Sequence, residues 1–151
     1  MSANIQSQVA VVDADGQIVG RFLSKVAKML LEGQRVVIVN AEKALFSGTR
    51  NSMIEEQKKT LEISSSTHPK HGPFHPRRPD TMITKIARGM LPRKKSRGIE
   101  AQKRLRVYIS VPGKYEKLEK ISFEEAKARK ALSYYVTVGE IASSMGWRER
   151  D

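Results

Sequence analysis

The stretch QVAVVDADGQIVGRFLSKVAKMLLEGQRVVIV, residues 8–39, decides the fold. Its middle sets Val19, Phe22, Leu23, Val26, Ala27, Leu30 and Leu31 at i, i+3, i+4, i+7, i+8, i+11 and i+12, one apolar stripe along an α-helix. Once buried, each large side chain of that stripe contributes about 1.5–3 kcal/mol, which outweighs differences in helix propensity. Ahead of the stripe, Gln8 to Asp13 reads as a strand in which Val9, Val11 and Val12 supply β-branched bulk, and Asp15-Gly16 is a turn signal. Behind it, Gly33 stops the helix and Arg35 to Val39 runs on as continuous apolar residues of strand length. A run without alternation is the pattern of a strand covered on both faces, as in a parallel sheet. Strand, helix and strand in this order make a βαβ unit with a right-handed crossover, and hence an α/β fold.

The rest of the chain is less regular. Ala41 to Leu45 is a small amphipathic piece and Ser47-Gly48-Thr49 a break. A second helix is expected from Asn51 or Ser52 to about Ile63, with Ser52 and Glu55 as a capping box. Ser64 to Pro79 holds four prolines, Gly72 and a Ser-Ser-Ser-Thr run, which exclude an extended helix or a central strand. A long loop of this kind inside a domain is functional or disordered. Asp80 is placed to cap a helix from Thr81 to about Met90, ended by Pro92, and Ser96 to Leu105 reads as a short helix. Arg106 to Val111 alternates like a strand. Two further capping boxes, Ser122 with Glu125 and Thr137 with Glu140, announce C-terminal helices. No internal repeat or domain boundary stands out, so residues 1–151 read as one domain, long enough to bury a core without staples.

Charge is the chain's most unequal property. Residues 68–106 hold twelve of the 28 Lys and Arg residues but only Asp80 and Glu100 as acids, which gives this segment +10 of the formal net charge of +12. It also holds all three histidines and five of the six prolines. Like charge at this density destabilises a compact state unless a polyanion neutralises it in use. A phosphate backbone does so with release of a condensed counterion at each neutralised phosphate. The cations are Lys70, Arg77, Arg78, Lys85, Arg88, Arg93, Lys94, Lys95, Arg97, Lys103, Arg104 and Arg106. Arginine offers phosphate a planar fork and lysine a point charge, while Phe74 and histidines such as His71 and His75 can stack on unpaired bases. Against this stands the ordinary fate of a charge run, a solvated face. A solvated face usually intersperses both signs, and this one does not. Arg21, Lys25 and Lys28 line the first helix opposite its apolar stripe, as a second phosphate contact or an ordinary exposed face.

Other chemistries fit poorly. There is no cysteine, which removes disulfides and thiolate ligands and suits a reducing compartment. His68, His71 and His75 lie among cations and prolines, without the rigid scaffold or fourth ligand that zinc requires. Residues 12–20 follow a strand and open a helix as a dinucleotide loop does, yet Gly-x-Gly-x-x-Gly is not matched, and Asp13 and Asp15 would repel a pyrophosphate. Asp13-x-Asp15 does not continue as a calcium loop, because its twelfth position is Ser24. No nucleophile–base constellation is legible, so an enzyme is the weaker class. No cofactor, metal or small-molecule substrate is expected. The N-terminus lacks a basic start and an apolar segment, and no apolar run approaches the ~18 residues of a membrane span, so a cytosolic protein is expected.

Several stretches together resemble the universal large-subunit ribosomal protein family numbered thirteen. They are residues 12–21, VDADGQIVGR, running into the helix at 25–31, and residues 36–43, VVIVNAEK. The most specific is RGMLP at 88–92, followed by Gly98, Ala101 and KRLRVY at 103–108. GPFHPRRP (72–79) and YVTVGEI (135–141) are similar to the archaeal and eukaryotic branch. The resemblance covers about residues 9–112. A departure falls near Ser110-Val111-Pro112-Gly113, where a glycine often precedes the Val-Pro step in the family. The resemblance implies a three-layer α/β/α fold around a small, mostly parallel sheet, with the basic loop added. It also implies a non-enzymatic, cytoplasmic, ribosomal role: binding large-subunit ribosomal RNA, stabilising its fold, aiding assembly and contacting neighbouring large-subunit proteins. Carried onto this chain, the RNA contacts are the loop Lys70 to Arg78, Arg88, Arg93 to Arg97, and then Arg21 and Lys25. With the charge pattern, the expected RNA-binding set is Arg21, Lys25, Lys70, His71, His75, Arg77, Arg78, Lys85, Arg88, Arg93, Lys94, Lys95, Arg97, Lys103 and Arg104. Of the rivals, a nucleotide-dependent enzyme requires a phosphate loop after the first strand, and a DNA-architectural protein binds duplex DNA at least as well as folded RNA.

Overall fold

Strand β1 (Val9–Asp13), helix α1 (Val19–Leu31) and strand β2 (Arg35–Val39) form the expected βαβ unit in the computed structural model, which describes residues 9–149. Gln8, the expected first residue of β1, lies outside the described residues. The two strands pair in parallel from Val9 beside Arg35 to Asp13 beside Val39. On α1, Val19, Phe22, Leu23, Val26, Ala27 and Leu30 are buried, and Gly33 closes the helix with a φ of 98° that favours glycine. Beyond β2, a 3-10 turn (Ala41–Lys43) leads to strand β3 (Leu45–Ser47) and helix α2 (Arg50–Glu62), which buries none of its residues. Helices α3 (Pro79–Met90) and α4 (Ser96–Lys103) follow, then strands β4 (Leu105–Val107), β5 (Lys120–Ile121) and β6 (Tyr135–Thr137), and helix α5 (Val138–Ser144).

The central sheet runs β4-β2-β1-β5 with every pairing parallel, and β3 and β6 form a separate antiparallel pair. The apolar run of β2 is explained by cover on both faces. Val12, Val36 and Ile38 point into the main core with α1, α3, α4 and α5, while Val11, Val37 and Val39 meet Val9, Tyr108, Val111 and Tyr115 on the other side. The three layers are thus unequal. On the second face a single 3-10 turn (Gly113–Tyr115) stands where a full helix would, with the Tyr108 and Tyr115 rings 5.8 Å apart.

Helix ends depart from the sequence pattern for local reasons. The Thr137–Glu140 box forms, with Glu140 N–H on Thr137 Oγ1 at 3.1 Å and Thr137 N–H on the Glu140 carboxylate at 3.4 Å. Thr137→Ala is expected to cost about 1 kcal/mol, read as a lowered denaturation midpoint at unchanged slope; an unmoved midpoint would show that the box does not stabilise α5. The Ser52–Glu55 box does not form, because Thr49 takes the cap and α2 starts at Arg50. The helix expected after Ser122 is replaced by a 3-10 turn (Glu124–Ala126). There Ala126 C=O accepts Ile18 N–H at 2.8 Å, and the Glu125 carboxylate is taken by Lys25 at 2.8 Å. Asp80 is not a cap: Pro79 occupies the first helical position, where its fixed φ fits, and Asp80 sits in the first turn. The alternating pattern after Arg106 yields only the short β4, and Leu105 belongs to that strand instead of α4.

Candidate nucleic-acid interface

The basic tract is built on α3 and α4. Helix α3 buries Met82, Ile83 and Ala87, and α4 buries Gly98 and Ala101. Between them Leu91 is buried and acts as an anchor, and the chain turns through Arg93 N–H to Leu91 C=O (2.8 Å) and Lys95 N–H to Pro92 C=O (2.9 Å). This turn is tight enough that Gly98 lies directly on the Pro92 carbonyl; an added Cβ would meet that oxygen at 2.3 Å. With their apolar sides committed to the core, the two helices present Lys85, Arg88, Arg97 and Lys103 to solvent, and the turn between them presents Arg93, Lys94 and Lys95.

The preceding loop is tethered at several points. A 3-10 turn (Pro69–His71) carries the exposed Lys70 and His71, with the His68 and His71 rings edge to face at 5.9 Å. His75 Nε2 donates to Ile63 C=O at 2.7 Å at the end of α2, and its buried Nδ1 has no partner among the described residues. Arg78 grips the Asp80 carboxylate with Nε at 3.2 Å and Nη2 at 3.0 Å. Arg77 and Arg78 also line a cleft of about 980 Å³ with Trp147 and Arg148.

Among the described residues, only Arg78 (with Asp80) and Arg104 (with Glu100, 3.6 Å) of the twelve tract cations form salt bridges. The other ten have no acidic partner among the described residues. Several arginines do double duty. Arg97 Nη2 donates to Leu31 C=O at 3.2 Å and Arg104 Nη1 to Leu30 C=O at 3.0 Å, so both satisfy carbonyls at the negative end of α1. Arg104 is accordingly more a structural tie than an open contact, whereas Arg97 remains exposed. Lys25 is drawn to Glu125, whose carboxyl it holds below the ordinary carboxylate range by hydrogen bond and charge. Arg21 is exposed on the same helix.

A second basic cleft has no local signature in the sequence. At the amino ends of β1 and β2, Arg35, Lys103, Arg106 and Lys114 surround about 600 Å³ beside Tyr115 and Glu100. Arg35 and Lys114 are far apart in the chain and isolated among mixed neighbours. Only the parallel pairing of the sheet and the second-face turn bring them to one place.

The carboxyl end of β1, where an open α/β sheet holds nucleotides, is sealed. Gln17 is fully buried there: its Nε2 donates to Asp13 C=O and its Oε1 accepts Phe123 N–H at 3.4 Å. Asp13 is itself occupied by Asn40 Nδ2 at 2.9 Å and Asp15 N–H at 3.0 Å. Gln17→Leu leaves the Phe123 N–H and the Asp13 carbonyl unpaired and is expected to cost about 1–2 kcal/mol. Urea unfolding checks this, and a variant as stable as the parent would mean the crevice is not held by Gln17. Sequence reading also passed over Glu42, a buried carboxylate that accepts Ser110 N–H at 3.0 Å and holds the left-handed Ser110 (φ 57°).

A family model described as Ribosomal protein L13 matches residues 7–113, which include the whole basic tract. The chain belongs to the ribosomal protein L13 family. Among curated relatives, the large ribosomal subunit protein uL13 of Methanococcoides burtonii is 42% identical over 91% of this chain and 98% of its own length. That of Saccharolobus solfataricus is 38% identical over 97% of this chain and 99% of its own length. That of Aeropyrum pernix is 41% identical over 95% of this chain and 93% of its own. These relatives are archaeal, in line with the branch to which residues 72–79 and 135–141 pointed. Membership of the ribosomal protein L13 family makes the chain a structural ribosomal component and not an enzyme. No helix among the described residues is long and apolar enough to cross a membrane.

Proposed function

We propose that this chain is a constituent of the large ribosomal subunit that binds large-subunit ribosomal RNA, stabilises its fold and supports subunit assembly in the cytoplasm. The observation that carries this reading is the set of ten tract cations without acidic partners among the described residues, seven of them on α3, on α4 or in the tight turn that joins these core-anchored helices. Charges so placed match a phosphate backbone whose geometry is itself fixed, and they read RNA shape more than sequence. The expected contacts are drawn from the exposed members of the tract that no acidic side chain engages among the described residues: Lys70, His71, Arg77, Lys85, Arg88, Arg93, Lys94, Lys95, Arg97 and Lys103. His75, Arg78 and Arg104 hold the surface in shape, and Arg21 and Lys25 are secondary. Neighbouring large-subunit proteins are the expected protein partners. In a sucrose gradient the native protein should travel with large subunits and leave them only at high salt, as counterion release dictates. Migration as free protein at low salt would overturn the assignment.

A further inference from the structure

Beside the proline-rich loop lies a cavity of about 270 Å³ lined by Phe74, Pro76, Thr84, Lys85, Arg88 and Gln102. Phe74 stands at it with 80% of its surface exposed. Lone exposed apolar residues are common on proteins. An exposed aromatic ring beside a small cavity, with two cations at the same cavity, is a different arrangement. Its backbone is pinned as well: Lys85 Nζ donates to Phe74 C=O at 3.3 Å, and the next residue is tied to α2 through His75 and Ile63 C=O at 2.7 Å.

We infer that this cavity is a slot for a single unpaired nucleobase of an RNA loop, stacked on the Phe74 ring. The inference rests on the RNA-binding reading above and adds a site to it. A flat π-face beside a base-sized cavity suits an extruded base, whichever base it is. Lys85 and Arg88, both without acidic partners among the described residues, are placed to take the flanking phosphates. Asp80 also lines the cavity, but Arg78 and Thr81 N–H (2.9 Å) occupy its carboxylate, so no uncompensated negative charge faces the ligand. The Gln102 side-chain amide has no protein partner among the described residues and offers a donor and an acceptor to a base edge. A duplex, whose bases are stacked inside, cannot use the slot; it meets only the charges.

The test uses the full chain and two labelled probes, a single-stranded oligoadenylate of about ten nucleotides and an RNA duplex with the same number of phosphates. Phe74→Ala should weaken single-strand binding roughly 5- to 150-fold, the range that one lost base–aromatic stack gives. Duplex binding should stay the same, and Phe74→Trp should restore the single-strand affinity. Reversal of Arg93, Lys94 and Lys95 should weaken both probes. If Phe74→Ala binds the single strand as the parent does while the charge-reversed variant loses both probes, the slot is wrong and the phosphate reading stands. If neither variant changes either probe, the phosphate reading falls and takes the slot with it.

Discussion

Replacing Arg93, Lys94 and Lys95 together by glutamate is expected to lower affinity for large-subunit ribosomal RNA by roughly several hundred-fold near 0.1 M salt. The size follows from counterion release. With a log–log slope of about −0.9 per phosphate contact, each contact contributes about eightfold at 0.1 M relative to 1 M salt. Three lost contacts multiply to roughly 500-fold, and the reversed charges add repulsion. The slope of log affinity against log salt should flatten by about 3 units. Thermal unfolding should move little, since all three side chains are exposed and none forms a salt bridge among the described residues. Lys95 caps α4, where a glutamate is favoured by the helix dipole, and removal of like charge works in the same direction. The melting temperature should therefore hold or rise slightly. Binding that survives unchanged, with an unchanged salt slope, would remove these residues from the interface.

The parts of this molecule that were legible in the sequence share a physical cause. The β1-α1-β2 unit showed itself because its apolar periodicity is set by burial, and burial is its largest energy term. The basic tract showed itself because its charges are contiguous along the chain. What stayed hidden depends on partners distant in sequence. Strands β3, β5 and β6 have two or three residues each, too few for a period, and exist through pairings such as Val11 beside Lys120 and Phe46 beside Val136. Capping patterns mark candidates only. Thr137 kept its glutamate, whereas Glu125 is held by a lysine on α1. The structural ties of Arg97 and Arg104 were hidden because their acceptors, the carbonyls of Leu31 and Leu30, are backbone groups that leave no trace in residue identity. The second basic cleft is invisible for the same reason: Arg35 and Lys114 meet only in the folded sheet.

Interface and core are coupled at Gly98, and a single methyl group tests the coupling. Gly98→Ala is expected to destabilise the fold by about 2–3 kcal/mol, lowering the melting temperature by about 5–10 °C. Two effects oppose each other. Alanine inside a helix is favoured over glycine by up to about 1 kcal/mol. Yet the new Cβ would lie 2.3 Å from the Pro92 carbonyl oxygen, 2.5 Å from its carbon and 3.1 Å from its Cγ. Backbone atoms cannot rotate away as a side-chain tip does, so α4 and the turn must separate. That strains the Lys95 N–H to Pro92 C=O bond of 2.9 Å and loosens the buried Leu91, at a combined cost well above the propensity gain. Gly89→Ala is the matched control: its Cβ would meet nothing within 4 Å, so stability should hold or rise by up to about 1 kcal/mol. Equal melting temperatures for the two variants would contradict the packing argument. The separation also moves Arg93, Lys94 and Lys95 relative to Arg88 and Lys85 on α3. Gly98→Ala should therefore weaken RNA binding below its melting range without removing any charge, a loss that ordinary solvated cations on an unconstrained surface would not show.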